Sequence, residues 1–150
     1  MDWNLSSIEI GEMPKLLESG TLNISGILSL GKAIDFINQI GLNNIESHLE
    51  ELTKYLYKRF QEIDLEIEFL PGPIFCKKAI AGYGIIPFNI KGINPTDVGF
   101  VLSENDISVR TGSHCISNED SEHQSIRVSL HIYNSIEEID RFIEVLIENF

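Results

Sequence analysis

The sequence predicts an α+β fold, a small sheet covered on one face by helices. Three observations carry that prediction. Apolar residues recur with helical period at both ends of the chain. Short period-two segments lie between them, bounded by Gly, Pro and Asn, and a single helical segment interrupts those strands. At 150 residues the chain is long enough for one ordinary domain with a real core.

Residues 1–24 lack sustained periodicity, contain Gly11, Pro14 and Gly20, and read as an extended arm. Helical spacing then begins: Ile24, Ile27, Leu28, Ala33, Ile34 and Ile37 lie mostly on one face, and Gly41 is a natural stop. Asn43 or Asn44 is the expected cap of a second helix, with Ile45, Leu49, Leu52 and Leu56 on its apolar face. Residues 65–70 alternate apolar and acidic side chains, the pattern of a half-buried strand, ended by Pro71-Gly72-Pro73. Residues 83–90 are a second strand, which Pro87 marks as an edge or bulged one. Asn94-Pro95 starts a helix through Val98, Val101 and Leu102 to about Asn105. Residues 107–109 read as a short strand running into a loop from Arg110, and residues 125–131 as another strand. Ser135 and Glu138 form a capping box that opens a last helix with Ile139, Phe142, Ile143 and Leu146 on one face.

Twenty-three acids against eleven bases give a net charge of −12. A nucleic-acid duplex or an anionic membrane needs a basic face, so neither is an expected partner. No apolar stretch approaches the ~18 residues of a membrane helix, and the N-terminus has no signal-peptide pattern. The expectation is a soluble, cytoplasmic protein. Cys76 and Cys115 have neither disulfide-framework nor zinc spacing, so each is read alone. No metal-ligand spacing links His48, His123 and His131.

Three places carry chemical signals. Cys115 follows Arg110-Thr111-Gly112-Ser113-His114 in a polar loop, and nearby cations lower a thiol's pKa towards the reactive thiolate. Arg127, in an alternating strand, falls on the face opposite Ile126, Val128 and Leu130. It is either a solvated strand arginine or an anion clamp, because a guanidinium holds a carboxylate bidentately. Gly20, Thr21 and Asn23 precede a helix start. They serve there as an ordinary cap or as a phosphate grip. Cys76, beside Lys77 and Lys78, reads as a small apolar residue.

These signals come together in one family. The chain resembles the C-terminal portion of SufS-like cysteine desulfurases, within the class V aminotransferase superfamily of pyridoxal-phosphate enzymes. Four stretches carry the likeness. They are Glu18-Ser19-Gly20-Thr21-Leu22-Asn23 with Gly31-Lys32-Ala33-Ile34, Phe88-Asn89-Ile90 with Gly92, residues 109–115 ending in His114-Cys115, and Arg127-Val128-Ser129-Leu130 through to Asp140. The resemblance implies the small C-terminal domain (residues 25–150) of a fold-type I enzyme. Cys115 would be the thiol that takes sulfur from L-cysteine as a persulfide, leaving L-alanine. Arg127 would grip the substrate carboxylate, with Arg110 and His114 lining the site. Thr21, flanked by Gly20 and Asn23, would reach the cofactor phosphate of a neighbouring subunit in a homo-oligomer.

The resemblance also implies pyridoxal phosphate as cofactor, with its Schiff-base lysine outside this chain. Lys15 stands too close to Thr21, and Lys32, Lys54, Lys58, Lys77, Lys78 and Lys91 all follow it. The expected partner is therefore a large cofactor-binding domain, as the rest of a longer polypeptide or a split-gene product. A sulfur-acceptor protein is a further expected partner, connecting the chain to iron–sulfur cluster assembly. Two other readings stay open: a non-catalytic sulfur carrier or interaction module, and a different class V enzyme in which Cys115 is incidental. Ser113 replaces a frequent histidine, Leu22 a common proline, and residues 117–124 depart from the family's usual loop.

Overall fold

A computed structural model describes residue 18 and residues 20–70, 84–114 and 124–150. Most of the arm expected over residues 1–24 lies outside the described residues. So do Cys76, Cys115, the lysines at 15, 77 and 78, the turn at 71–73 and the start of the strand expected at Tyr83. The chain divides into two compact units, residues 1–41 and residues 42–150.

The first unit contains helix α1 (Ile24–Ile40). Its cap is Asn23, whose side chain accepts a hydrogen bond from the Gly26 backbone N–H at 3.0 Å. Gly41 ends the helix at a φ of +88°, a conformation that suits glycine, and its N–H bonds to the Ile37 carbonyl.

The second unit begins immediately. Helix α2 (Leu42–Glu62) opens at Leu42, so Asn43 and Asn44 lie within its first turn rather than capping it. Gly41 alone makes the break, leaving no linker in which an asparagine cap could sit. Strands β1 (Ile67–Phe69) and β2 (Ile85–Ile90) follow, then helix α3 (Pro95–Glu104), strands β3 (Arg110–Gly112) and β4 (Ser125–Ser129), and helix α4 (Ile136–Asn149). Asn94 caps α3 by accepting from Thr96 N–H at 2.9 Å, with Pro95 in the first turn. The Ser135–Glu138 capping box opens α4 in both directions, and Asn134 adds a bond to the Glu138 carboxylate at 2.9 Å.

The sheet has the order β1-β2-β4-β3, and every pair is antiparallel. Two expectations fail here. Pro87 lies in an interior strand, opposite Arg127. Its carbonyl accepts from Leu70 N–H, one residue past the end of β1. The N–H that proline lacks therefore faces the place where that ladder is already ending, so the interior position costs little. The strand expected at residues 107–109 lies instead at Arg110–Gly112. Asp106 adopts a left-handed φ of +61° and Ile107 N–H turns back to the Leu102 carbonyl, which ties this segment to the end of α3. Pairing with β4 starts only at Arg110.

One face of the sheet builds the core. Ile86, Phe88 and Ile90 of β2 and Ile126 and Val128 of β4 are buried against Leu52, Leu56 and Phe60 of α2, Val98 and Leu102 of α3, and Ile139, Phe142, Ile143 and Leu146 of α4. Phe60 sits at the centre of an aromatic cluster, with ring centroids 4.9 Å from Phe88, 5.6 Å from Phe69 and 6.0 Å from Phe142. A polar seam joins α2 to α4. Tyr55 donates to Asp140 at 2.8 Å and Arg59 pairs with the same carboxylate at 3.2 Å. The Asp140 carboxylate raises the Tyr55 phenol pKa, since the deprotonated form would lose that bond.

Gly99 fixes how closely α3 approaches β3. A Cβ there would meet the Thr111 methyl at 2.5 Å.

Among the described residues no helix is long and apolar enough to cross a membrane.

Candidate functional site

The sheet's other face is mostly polar, with Ile85 and Pro87 as its apolar members on β2. Alternation puts Ile126 and Val128 into the core and turns Arg127 the other way, where it is half-buried. Its cross-strand neighbours are Pro87 on β2 and Arg110 on β3. Two guanidinium side chains thus leave one face from directly opposed positions. Like charges placed so repel each other, and an anion between them relieves the repulsion. Arg127 Nε is buried with no hydrogen-bond partner among the described residues, a donor held out of water without an acceptor.

Gly112 ends β3 at a φ of +119°, and the chain then turns through His114, itself left-handed at +53°. That turn brings the imidazole back onto β4. His114 Nε2 lies 3.0 Å from the Ser125 carbonyl. A carbonyl only accepts, so the network assigns the proton to Nε2 and leaves a lone pair on Nδ1. Nδ1 is buried and has no partner among the described residues. Burial first, then the charges of Arg127 and Arg110, push the His114 pKa below its ordinary value of 6.5, against the Ser125 bond, which raises it. The result is a neutral imidazole beside two arginines, one residue before Cys115 in sequence. Cys115 lies outside the described residues.

Arg110, Arg127 and His114 are therefore brought together. Sequence reasoning gave no role to Asn89, which this face also holds: its Nδ2 donates to the Gln124 carbonyl at 3.0 Å. His114 and Asn89 thus both bond to the backbone at the start of β4, at Ser125 and Gln124. The position of Asn89 on β2, two residues from Pro87 and so on the same face, was the available signal.

Gly20, Thr21 and Asn23 belong to the other unit. Asn23, not Thr21, is the α1 cap, so its side-chain oxygen is committed to Gly26 and Ser25. Gly20 is left-handed at +78° and Thr21 is exposed. The first turn of α1 holds no acidic residue, so the positive end of the helix dipole is not neutralised. A hydroxyl beside such a helix start suits a phosphate.

The described lysines do not suit the covalent half of a pyridoxal site. A Schiff-base amine must be desolvated or placed beside another cation to be nucleophilic. Lys32, Lys54, Lys58 and Lys91 are each exposed and paired with Asp35, Glu50, Glu62 and Glu66. The described residues thus fit the phosphate end of that cofactor and not its aldehyde end. Among the described residues no cluster of three His, Cys, Asp or Glu side chains is placed to hold a metal. A groove of about 350 Å³ runs between residues 106–109, the end of β4 and α4, and Arg110, Arg127 and His114 do not line it.

The fold and this polar face define a member of a known family. The class-V aminotransferase family model matches residues 2–142, and the chain belongs to that family. Its relatives there include cysteine desulfurases. The chain is 35% identical over 146 residues to a cysteine desulfurase of Wigglesworthia glossinidia brevipalpis, covering 95% of this chain and 34% of that protein. It is 35% identical over 150 residues to a probable cysteine desulfurase of Pyrococcus abyssi, covering 98% and 36%. The apo structure of a cysteine desulfurase from Thermococcus onnurineus NA1 matches with a TM-score of 0.74 at 34% identity, over 90% of this chain and 33% of that one. A cysteine desulfurase from Escherichia coli shares the fold, with a TM-score of 0.74 at 21% identity. The chain spans about a third of the length of the relatives it matches.

Proposed function

We propose that this chain is the small domain of a cysteine desulfurase, active only together with the large cofactor-binding portion of such a subunit. The observation that supports this most is the paired placement of Arg110 and Arg127 on one face, beside a neutral His114 that directly precedes Cys115. Arg127 holds the substrate carboxylate, with Arg110 adding positive charge from the facing strand. Thr21 and the α1 start reach a cofactor phosphate, in the manner of the dimer that the family resemblance implies.

The Cys115 thiolate attacks the sulfur of bound L-cysteine. A sulfur–sulfur bond forms as the carbon–sulfur bond breaks, and the electron pair stays on carbon, which takes a proton to give L-alanine. The persulfide remains on Cys115, so atoms and electrons balance without an external oxidant. Pyridoxal phosphate, when bound, supplies the electron sink for that cleavage. A lone pair on His114 Nδ1 offers a proton acceptor one residue before Cys115 in sequence.

The test is reconstitution. Mixed with a separately produced large domain and pyridoxal phosphate, the chain should release alanine from L-cysteine, and Cys115→Ala should abolish that release. Undiminished alanine production by Cys115→Ala would instead favour a class V enzyme in which the thiol is incidental.

A further inference from the structure

Asn89 lies on β2 with Glu68 facing it on β1. One step past the last β2–β4 pair, Phe88 and Ile126, it comes level with Ser125, which Gly112 faces on β3. All of these residues belong to unit 42–150. The Asn89 Nδ2 donates to the Gln124 carbonyl at 3.0 Å, so a side chain carries the β2–β4 connection beyond the backbone ladder. Its Oδ1 is buried with no partner among the described residues. A buried acceptor left without a donor costs stability, and an aliphatic side chain of similar shape avoids that cost. The amide is therefore placed for what its donor end does.

The donor end fixes a peptide plane. In an extended strand successive carbonyls point to opposite sides, and β4 lies between β2 and β3. Asn89 holds the Gln124 carbonyl towards β2. The next carbonyl, that of Ser125, then points towards β3, where His114 Nε2 meets it at 3.0 Å. The peptide joining Gln124 to Ser125 is planar, and Ser125 is held in β4, so the two carbonyls turn together. A carbonyl only accepts, which keeps the His114 proton on Nε2 and the lone pair on Nδ1. Asn89 thus acts on the imidazole through two backbone carbonyls.

We propose that Asn89 is a positioning residue for His114, setting through the Gln124 and Ser125 carbonyls which imidazole nitrogen carries the proton. Use of the Nδ1 lone pair as a proton acceptor rests on the function proposed above, whereas the state of the imidazole does not. A purely structural Asn89 would only close the end of the ladder, and its loss would leave His114 unchanged. The charged groups around the imidazole are Arg127 on β4 and Arg110 on β3, with Glu68 opposite Asn89 on β1. Asn89→Leu keeps all three, so a change at His114 in that variant is not a change of nearby charge.

The test uses the whole chain and NMR of isotope-labelled histidine rings. Wild type should carry the His114 proton on Nε2 and titrate below the ordinary histidine value. In Asn89→Leu the Ser125 carbonyl is released and the ring loses its burial, the larger influence on its pKa. Its titration should then move up towards the ordinary value, and both tautomers should appear. Unfolding by denaturant should shift little, because one hydrogen bond and one unpartnered acceptor are lost together. In the enzyme reconstituted with a large domain and pyridoxal phosphate, alanine release should fall about tenfold below neutral pH. The KM for L-cysteine should not change, since both arginines remain. The acid limb of the rate profile should move to higher pH with His114, which accepts a proton only when neutral. A wild-type imidazole protonated on Nδ1 would overturn the proposal without any variant, and so would an unchanged His114 titration in folded Asn89→Leu. No alanine from the wild-type mixture would count against the proposed function and leave the imidazole result standing.

Discussion

The two faces of the sheet are made from the same strands and are built by different physics. On the helix side, Ile86, Phe88, Ile90, Ile126 and Val128 are no more than 9% exposed and are held by apolar burial. On the other side, Pro87, Asn89 and Arg127 are half-buried, Arg110 is exposed, and two arginines stand opposite each other. Burial and close packing stabilise the first arrangement. The second places like charges together and leaves Arg127 Nε and His114 Nδ1 without partners among the described residues, an arrangement that costs stability and suits an anionic ligand.

The comparison breaks if substitutions on the two faces have similar effects. The largest stability loss is expected at Phe88→Ala. The ring is fully buried against Phe60 and Phe142, so unfolding by denaturant should show a loss of about 3–5 kcal/mol. Next comes Gly99→Ala. Its new methyl would press on the stiff Thr111 side chain, costing about 1–3 kcal/mol and displacing β3, with weaker anion binding at Arg110 as a second readout. Arg127→Ala should leave stability within about 0.5 kcal/mol of wild type, or raise it by relieving repulsion. Reconstituted activity in that variant should fall about ten- to a hundredfold through substrate binding, the worth of a charged hydrogen bond. A loss of several kcal/mol in stability at Arg127→Ala would erase the distinction between the faces.

Two smaller effects are read through pH. His114 has a folded pKa below its ordinary value, so the unfolded chain takes up its proton first as pH falls. Its contribution is present above the ordinary histidine value and is lost as pH falls from there through the lowered one. In Arg127→Ala the His114 titration, followed by NMR, should move upward, because one of the charges depressing it is gone. Glu138 is lowered by its bonds from Asn134 and from the Ser135 backbone. Its stabilisation is present above the ordinary carboxylate range and is lost as pH falls through its lowered value. Glu138→Gln should flatten that part of the acid limb slightly.

The elements with local signals were legible. Asn94-Pro95 and the Ser135–Glu138 box start helices through backbone groups that neighbouring residues satisfy, and both caps lie where the sequence puts them. The face of α4 follows from spacing alone. Strand limits are set by remote partners, and there the sequence misled. The bounds of β3 depend on Asp106 tying the preceding segment to α3, and the interior place of Pro87 depends on where β1 stops. The site divided in the same way. Alternation turns Arg127 away from the core, but its pairing with Arg110 needs the β3–β4 register, which no local pattern carries. Asn23 was legible as a polar residue before a helix, and only the geometry assigns it the cap in place of Thr21. Gly99 had no signal at all, because its importance lies in Thr111, twelve residues away.

The most direct measurement is the mass of the Cys115 peptide after the chain, a large domain and pyridoxal phosphate have been incubated with L-cysteine. The account predicts one added sulfur atom on Cys115, with none on Cys76 and, at limiting cysteine, about ten- to a hundredfold slower labelling in Arg127→Ala. Alanine formed with no sulfur gained at Cys115, or the sulfur found on Cys76, would contradict it.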